Sequence, residues 1–363
     1  MKRIFNCAPL LVTLAMLVFA ISCNRDRQNE PENGTEVTPQ PEPELANDWY
    51  AAGMSIDLEQ FAVGATIWKN GKVLYSNMEP ETISTVLGIC VDGDDVYCSG
   101  YLENRDGFFN VVWKNDKRIL TIDAEDDVLS GFIENGFIDV AVVRGDVYAL
   151  TTYCIDEVFG QFLYQPMLFK NGVPELFDLV SEDPEVVSIE ASGDDLYAVG
   201  SVTVDSATVP ALWKNKIATT LTLPQGTVGG SGYSLSIIGS DVYVVGEVYV
   251  SNSKIALPCV WKNGVPQLLE TFDKKDTLAT GVAVKDGKLY VSGAIDDDYA
   301  CVWEDGVMTV LDSGYATDVV STKDGVVVGG CMETESAELP VAAIWKDGIA
   351  DYLGYGVIVR MSN

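Results

Sequence analysis

Histidine is absent from all 363 residues. Its absence removes serine–histidine and cysteine–histidine nucleophilic pairs, histidine-liganded zinc, and the side chain that most often serves as general base near neutral pH. Cations are scarce too: 23 Lys and Arg stand against 54 Asp and Glu, a formal net charge of −31. Nucleic acid needs a basic surface, so charge argues against it as a partner. Acidity otherwise speaks to solubility and to divalent or cationic partners, not to fold. After the first two dozen residues nothing resembles a membrane-spanning helix.

What the chain does have is a phrase repeated seven times. Trp68-Lys69-Asn70-Gly71 returns with its anchor at Trp113, Phe169, Trp213, Trp261, Trp303 and Trp345, spaced 45, 56, 44, 48, 42 and 42 residues apart. A self-similar period of roughly 40–50 residues marks a solenoid, propeller or array. A second motif precedes each anchor, as in Val96-Tyr97-Cys98-Ser99-Gly100 and Val242-Tyr243-Val244-Val245-Gly246. A β-branched run lies before that motif and another follows the anchor. Gly93-Asp94, Gly193-Asp194 and Asp286-Gly287 join the first two runs, and Asn-Gly or Asp-Gly joins the last two. Such dipeptides accept the positive φ of a hairpin turn. The repeat therefore reads as a four-stranded antiparallel meander, a–b–c–d.

Strand c is apolar on both faces, which one sheet cannot satisfy, so neighbouring copies must cover it. Strand d tolerates Pro174 and Pro266, as an outermost strand does. The chain begins at a strand b, Trp49 to Gly53, and ends on Gly356 to Met361, which has the strand a pattern. The expectation is an all-β, seven-bladed β-propeller of four-stranded antiparallel blades, its first blade completed by the C-terminal strand. That arrangement resembles the closure of many β-propellers. The Trp-x-x-Gly repeat resembles those of bacterial exported propeller-like proteins, and lacks the Trp-Asp dipeptide of WD40 blades. The resemblance is structural and carries no activity with it.

The N-terminus has Lys2 and Arg3, an apolar stretch from Leu10 to Phe19, and then Ala20-Ile21-Ser22-Cys23. This order describes a secretory signal, and the last four residues resemble a bacterial lipobox. By that resemblance Cys23 is lipidated and becomes the mature N-terminus. The expected organisation is a signal peptide over 1–22, a Pro/Glu-rich tether over 23–48 that cannot bury enough apolar surface to fold, and the propeller over 49–363. The implied address is the outer membrane of a Gram-negative bacterium, periplasmic or surface-exposed, with contact to the membrane through the lipid alone.

Cys259 and Cys301 fall two residues before an anchor, where other copies carry Thr66, Val111, Met167, Ala211 and Ala343. Such positions suit buried free thiols. Cys90 and Cys98 flank a hairpin but fall out of register on opposite faces if its turn has two residues.

The b–c and d–a connections vary in length, which on one face of a repeat protein marks a binding face. That face is expected to carry Phe108, Phe109, Tyr153, Phe159, Phe162, Tyr164, Tyr233, Tyr299 and Tyr315. These could form an aromatic platform for sugar rings or a protein partner, or pin the loops to the sheets. Asp296, Asp297 and Asp298 are the one acidic cluster there that a hairpin does not explain, and the weak candidate for a structural calcium. No other cofactor is implied and no catalytic set stands out. The expected function is a monomeric, non-catalytic module binding a glycan or a protein. The alternatives are a histidine-independent polysaccharide-active enzyme on the same face and a structural subunit of an envelope complex.

Overall fold

A computed structural model describes residues 46–60, 62–123, 132–133, 136–158, 161–177, 184–251, 253, 255–273, 275–296, 298–333 and 339–363, with backbone alone over 132–133, 154–158 and 161–164. Cys23 and nearly all of the expected tether lie outside these residues. Every strand or helix among them is a strand.

Strands β1 (Tyr50–Asp57), β2 (Ala62–Lys69) and β3 (Lys72–Asn77) come first. Then β4 (Ile83–Asp92), β5 (Asp95–Asn104), β6 (Gly107–Lys114) and β7 (Lys117–Asp123) form an antiparallel a–b–c–d meander. The order recurs with β8 (Phe132–Ile133) and β9 (Asp139–Val143) both pairing β10 (Asp146–Val158), followed by β11 (Gln161–Lys170) and β12 (Val173–Leu176). It recurs again in β13 (Glu185–Ser192), β14 (Asp195–Val204), β15 (Ala207–Lys214) and β16 (Ile217–Thr220). Next come β17 (Thr227–Ile238), β18 (Asp241–Val250), β19 (Ala256–Lys262) and β20 (Val265–Leu268). The remainder is β21 (Thr277–Lys285), β22 (Lys288–Ile295), β23 (Tyr299–Glu304), β24 (Val307–Thr322), β25 (Gly325–Met332), β26 (Val341–Lys346) and β27 (Ile349–Ser362).

Two of these strands serve twice. Residues 307–313 of β24 pair with β23 as a d strand, and residues 314–322 pair with β25 as an a strand. Likewise residues 349–355 of β27 pair with β26, while residues 356–362 lie antiparallel to β1, with Ala51 opposite Met361. The C-terminal segment thus supplies the strand before β1. At these two places the d–a connection is continuous strand rather than a loop.

Packing lies between meanders. Ile67 and Ala52 meet Val86 and Trp113, and Tyr97 and Val112 meet Phe137 and Phe169. Leu168 meets Ile189 and Trp213; Val199 meets Leu235 and Trp261; Val245 meets Val282 and Trp303. Ala283 meets Val319 and Trp345. A further cluster brings Val327 and Ile344 against Trp68 and Ile358, returning to β1 and β2. Each anchor aromatic is buried in one of these spaces, and emptying one by truncation to alanine costs about 3–5 kcal/mol. The position two before the anchor is buried in every copy, Cys259 and Cys301 included. Cys90 and Cys98 are free: Cys98 faces Ile89 across the pair and packs on the opposite side of the sheet from Cys90.

The repeated phrase has an electrostatic reason. Asn70, Asn115, Asn171, Asn215 and Asn263 take positive φ in the c–d turn. The side-chain carbonyl of each accepts the N–H that starts strand b, as from Val96 to Asn115 at 3.0 Å, and its amide donates to an Asp one residue earlier, as to Asp95. The Lys before the Asn pairs with the same Asp and lies over the following Tyr, as Lys114 does with Asp95 at 2.7 Å and with the Tyr97 ring at 5.1 Å. In the copy with Trp303 the charges are exchanged: Lys288 starts strand b and pairs with Glu304.

A β-bulge fixes the inner strands. Leu87, Val187, Tyr233, Thr280, Thr317 and Val359 are extra residues in the a strands, unmatched on strand b. The distorted ladder drives an a-strand carbonyl against strand b: a Cβ on Gly100 would lie 2.0 Å from the Thr85 oxygen. Glycine therefore ends the b motif. In β10 Thr151 stands at that position, and the glycine has moved to the a side as Gly136, whose carbonyl accepts from Thr151 Oγ1 at 2.7 Å.

Candidate functional site

Strand a of every meander borders one cavity of about 580 Å³, lined from Ile89–Asp92, Asp139–Val142, Ser188–Ala191, Ser234–Ile238, Val282–Val284, Asp318–Ser321 and Arg360–Asn363. The lining reaches the a–b turns at Arg144 and Gly193 and touches Ala46, where the described chain begins. The cavity therefore belongs to the end bearing the a–b turns, not to the end bearing the b–c connections.

Two layers of side chains matter here. In the first, just after the bulge, Gly88, Asp139, Ser188, Ser234, Gly281, Asp318 and Arg360 hold equivalent register against strand b. Asp139 accepts from Val140 N at 2.9 Å, Ser188 Oγ at 2.7 Å and Ile189 N at 2.9 Å. It thus straps β9 to β13. Asp318 repeats the device, accepting from Val319 N at 2.8 Å and Met361 N at 2.9 Å, and straps β24 to β27. Each leans on a glycine of the preceding meander, since a Cβ on Gly88 would lie 2.6 Å from Asp139 Oδ1 and one on Gly281 2.3 Å from Asp318 Oδ1.

Burial is the largest influence on both acids and raises their pKa, Asp318 to about 6; the Arg360 charge and the backbone donors pull the other way. The Arg360 backbone pairs with Ala52, while its guanidinium has no hydrogen bond or salt bridge to a described residue and acts on Asp139 and Asp318 through its charge alone.

The second layer contains Cys90, Ala141, Glu190, Ser236, Ala283, Val320 and Ser362. Glu190 is the sole ionised-type side chain of length among them. Its Oε1 accepts from Ile237 N at 3.0 Å. Enclosure pushes its carboxyl up to about 8, and the Asp139 and Asp318 charges add to that rise while the Ile237 bond opposes it.

At the other end, b-strand ends and a-strand starts bring a second set together. Tyr233 and Tyr249 both donate to Glu247 Oε1, at 2.6 and 2.8 Å, and Ser231 Oγ lies 3.5 Å from the Tyr249 hydroxyl. Ser201 Oγ donates to Glu185 Oε2 at 3.3 Å. Burial and the Glu247 charge hold both phenols well above their ordinary pKa. Tyr233 is the bulge residue of β17, so the bulge itself turns this ring out of the ladder.

The other expected site residues disperse. Phe108 stacks on Tyr101 at 4.9 Å, and Phe109 packs against the cluster of Leu102 and Trp113. Tyr153 is 4% exposed and sits in the core with Phe137 and Phe169, so it is core rather than platform. Tyr299 is 44% exposed with Lys275 over its ring at 5.8 Å, and Tyr315 is half-buried at the start of the β24 a segment. Phe159 and the side chains of Phe162 and Tyr164 lie outside the described residues. Asp297 does as well. Asp296 accepts from Asp276 N at 2.9 Å and pairs with Lys275 at 2.9 Å. Among the described residues no three acids or cysteines gather as metal ligands. Arg105 and Arg144, isolated in the sequence, pair with Glu81 and Asp194. Glu247, Tyr249 and Glu190 were missed because carboxylates are abundant and nothing in their local sequence marks them; the bulge register was the available signal.

No known family and no curated protein matches the chain. Among solved structures it is similar to the extracellular domains 1–2 of Drosophila Semaphorin 1a, at 10% identity over 88% of each chain with a TM-score of 0.46. It is similar to the β-propeller domain of the Trilobed protease from Pyrococcus furiosus, described as having an open velcro topology, at 13% identity over 85% of this chain and 97% of that one with a TM-score of 0.46. A third is the β-propeller domain of Cps50 (Swd1) from Myceliophteria thermophila, at 12% identity over 84% and 99% with a TM-score of 0.42. These likenesses are loose. The strand pairings and inter-sheet clusters carry the architecture.

Proposed function

We propose that the chain is a seven-bladed β-propeller lipoprotein of the cell envelope, lipidated at Cys23, which binds a glycan without catalysis on its b–c and d–a face. The ring reading is supported by the seven inter-sheet clusters, which run from each meander to the next and from the last back to the first. The pairing of residues 356–362 with β1 supports closure by the C-terminal strand.

The observation that carries the functional reading is the Tyr233–Glu247–Tyr249 set. A tyrosine nucleophile or acid needs its proton made easier to remove. Here burial and an adjacent carboxylate make both protons harder to remove. What the set offers instead is aromatic surface beside hydrogen-bond acceptors, the combination that sugar hydroxyls and ring faces engage. A protein ligand is the second reading, supported by exposed Val204, Val228, Phe272 and Tyr299 on the same face.

Glycan arrays followed by calorimetry, with and without calcium, test the proposal. A hit should weaken at least tenfold in both Tyr249→Phe and Glu247→Gln. Absence of any glycan hit, together with a stable co-purifying protein, would replace the sugar with a protein ligand.

A further inference from the structure

The a–b end of the central cavity holds two side chains that break the pattern of the repeat. Six of the seven second-layer positions carry neutral residues no longer than valine; the seventh is Glu190. In the first layer the only cation is Arg360, among two glycines, two serines and two aspartates. A ring made of near-copies does not need either. Asp139 and Asp318 are already occupied by backbone donors, so their oxygens are committed to the scaffold. Glu190 spends one oxygen on Ile237 N, has no other hydrogen bond to a described residue, and lines the cavity. Arg360 borders the same cavity with no ion-pair partner among the described residues. Arg144, at the mouth, is held by Asp194.

We infer that this cavity binds a small zwitterion, its ammonium against Glu190 and its carboxylate against Arg360. The cavity size suits the purpose: at about 580 Å³ it falls within the range of small-molecule sites and would accept a free amino acid or a short peptide. A simple anion would meet the Asp139 and Asp318 charges, and a simple cation would meet Arg360. A molecule carrying both charges satisfies each wall. Tyr233, Glu247 and Tyr249 do not line this cavity, so the site stands apart from the glycan proposal.

Proton uptake and release give the site a signature. The titratable and charged groups that line the cavity with Glu190 are Asp139 on β9, Asp318 on β24, Arg360 on β27 and the Cys90 thiol on β4, with Asp92 and Arg144 at the a–b turns. Glu190 holds its proton at neutral pH. Docking an ammonium favours the carboxylate, so the proton leaves to solvent, and affinity rises as pH climbs towards about 8.

The experiment is calorimetric titration of the full chain with glycine, γ-aminobutyrate and diglycine at pH 6, 7 and 8, in two buffers of different ionisation heat. At least one zwitterion should bind, releasing a proton at pH 7, while methylamine and acetate bind at least tenfold more weakly. Glu190→Gln should weaken binding at least tenfold and abolish the proton release, and Arg360→Gln should weaken it while leaving the release. Thermal melts of both variants separate lost binding from lost folding. Binding unchanged in Glu190→Gln, methylamine or acetate binding as tightly as the zwitterions, or no zwitterion binding at millimolar concentration would each overturn the inference.

Discussion

Replacing Glu190 by Gln should stabilise the folded chain, and the gain should depend on pH. In the fold the Glu190 carboxyl loses its proton near pH about 8 rather than 4.5, chiefly because it is enclosed. Keeping that proton at pH 7, where the unfolded chain has lost it, costs about 3 kcal/mol. Gln retains an acceptor for Ile237 N but buries an amide N–H₂, which returns roughly 1 kcal/mol of the gain. The expected net effect is about 2 kcal/mol, or a melting temperature raised on the order of 2–6 °C.

The direction with pH follows from the raised value. Glu190 contributes its full stability below about 4.5 and loses it progressively up to about 8. The variant should therefore be slightly less stable than the parent at pH 4.5, overtake it as pH rises, and hold a level advantage above about pH 8. General repulsion among the acids of this −31 chain is common to both proteins and drops out of the difference. Urea or thermal unfolding at half-unit steps from pH 4.5 to 9 measures it. A difference that does not change with pH, or a variant less stable at pH 8, would refute the reasoning.

Gly281→Ala should destabilise by about 1–3 kcal/mol in urea unfolding, because its Cβ would meet Asp318 Oδ1 at 2.3 Å and Asp318 Cα at 2.9 Å. Thr151→Val should cost about 1–2 kcal/mol by the same assay, since it leaves the Gly136 carbonyl without its donor. Reversing one member of the Lys288–Glu304 pair should lower the urea midpoint at low salt, and Lys288→Asp with Glu304→Lys together should restore it by rebuilding the arrangement of the other copies.

Much of this architecture was legible because the repeat samples the same environment many times. The Lys and Asn after the anchor and the Asp and Tyr of strand b recur together, and each contacts another of the set. Proline at 174 and 266 marked the outer strands, where pairing runs on one side alone. Thr151 stands where the other copies have glycine, and only the structure shows that the glycine has crossed to position 136.

The sites were far less legible, for a physical reason. Glu190 and Arg360 are anomalous only against their equivalents in the other a strands, and a bulge in six of those strands but not in β9 shifts that comparison by one residue. Tyr233 was singled out as an aromatic, yet its role depends on Glu247 and Tyr249, which reach it across the β17–β18 pair. The a–b turns are tight and nearly uniform, which marks no site in the sequence, yet the cavity lined by Glu190 and Arg360 opens among them.

Amide hydrogen exchange over residues 356–362 bears most directly on a sheet ring sealed by its own tail. If β27 truly completes the meander of β1, the amides of Val357 and Ile358 should exchange as slowly as those of Val260 and Trp261 in β19. Exchange at the rate of a frayed terminus, while β19 stays protected, would contradict closure and with it the placement of both proposed sites.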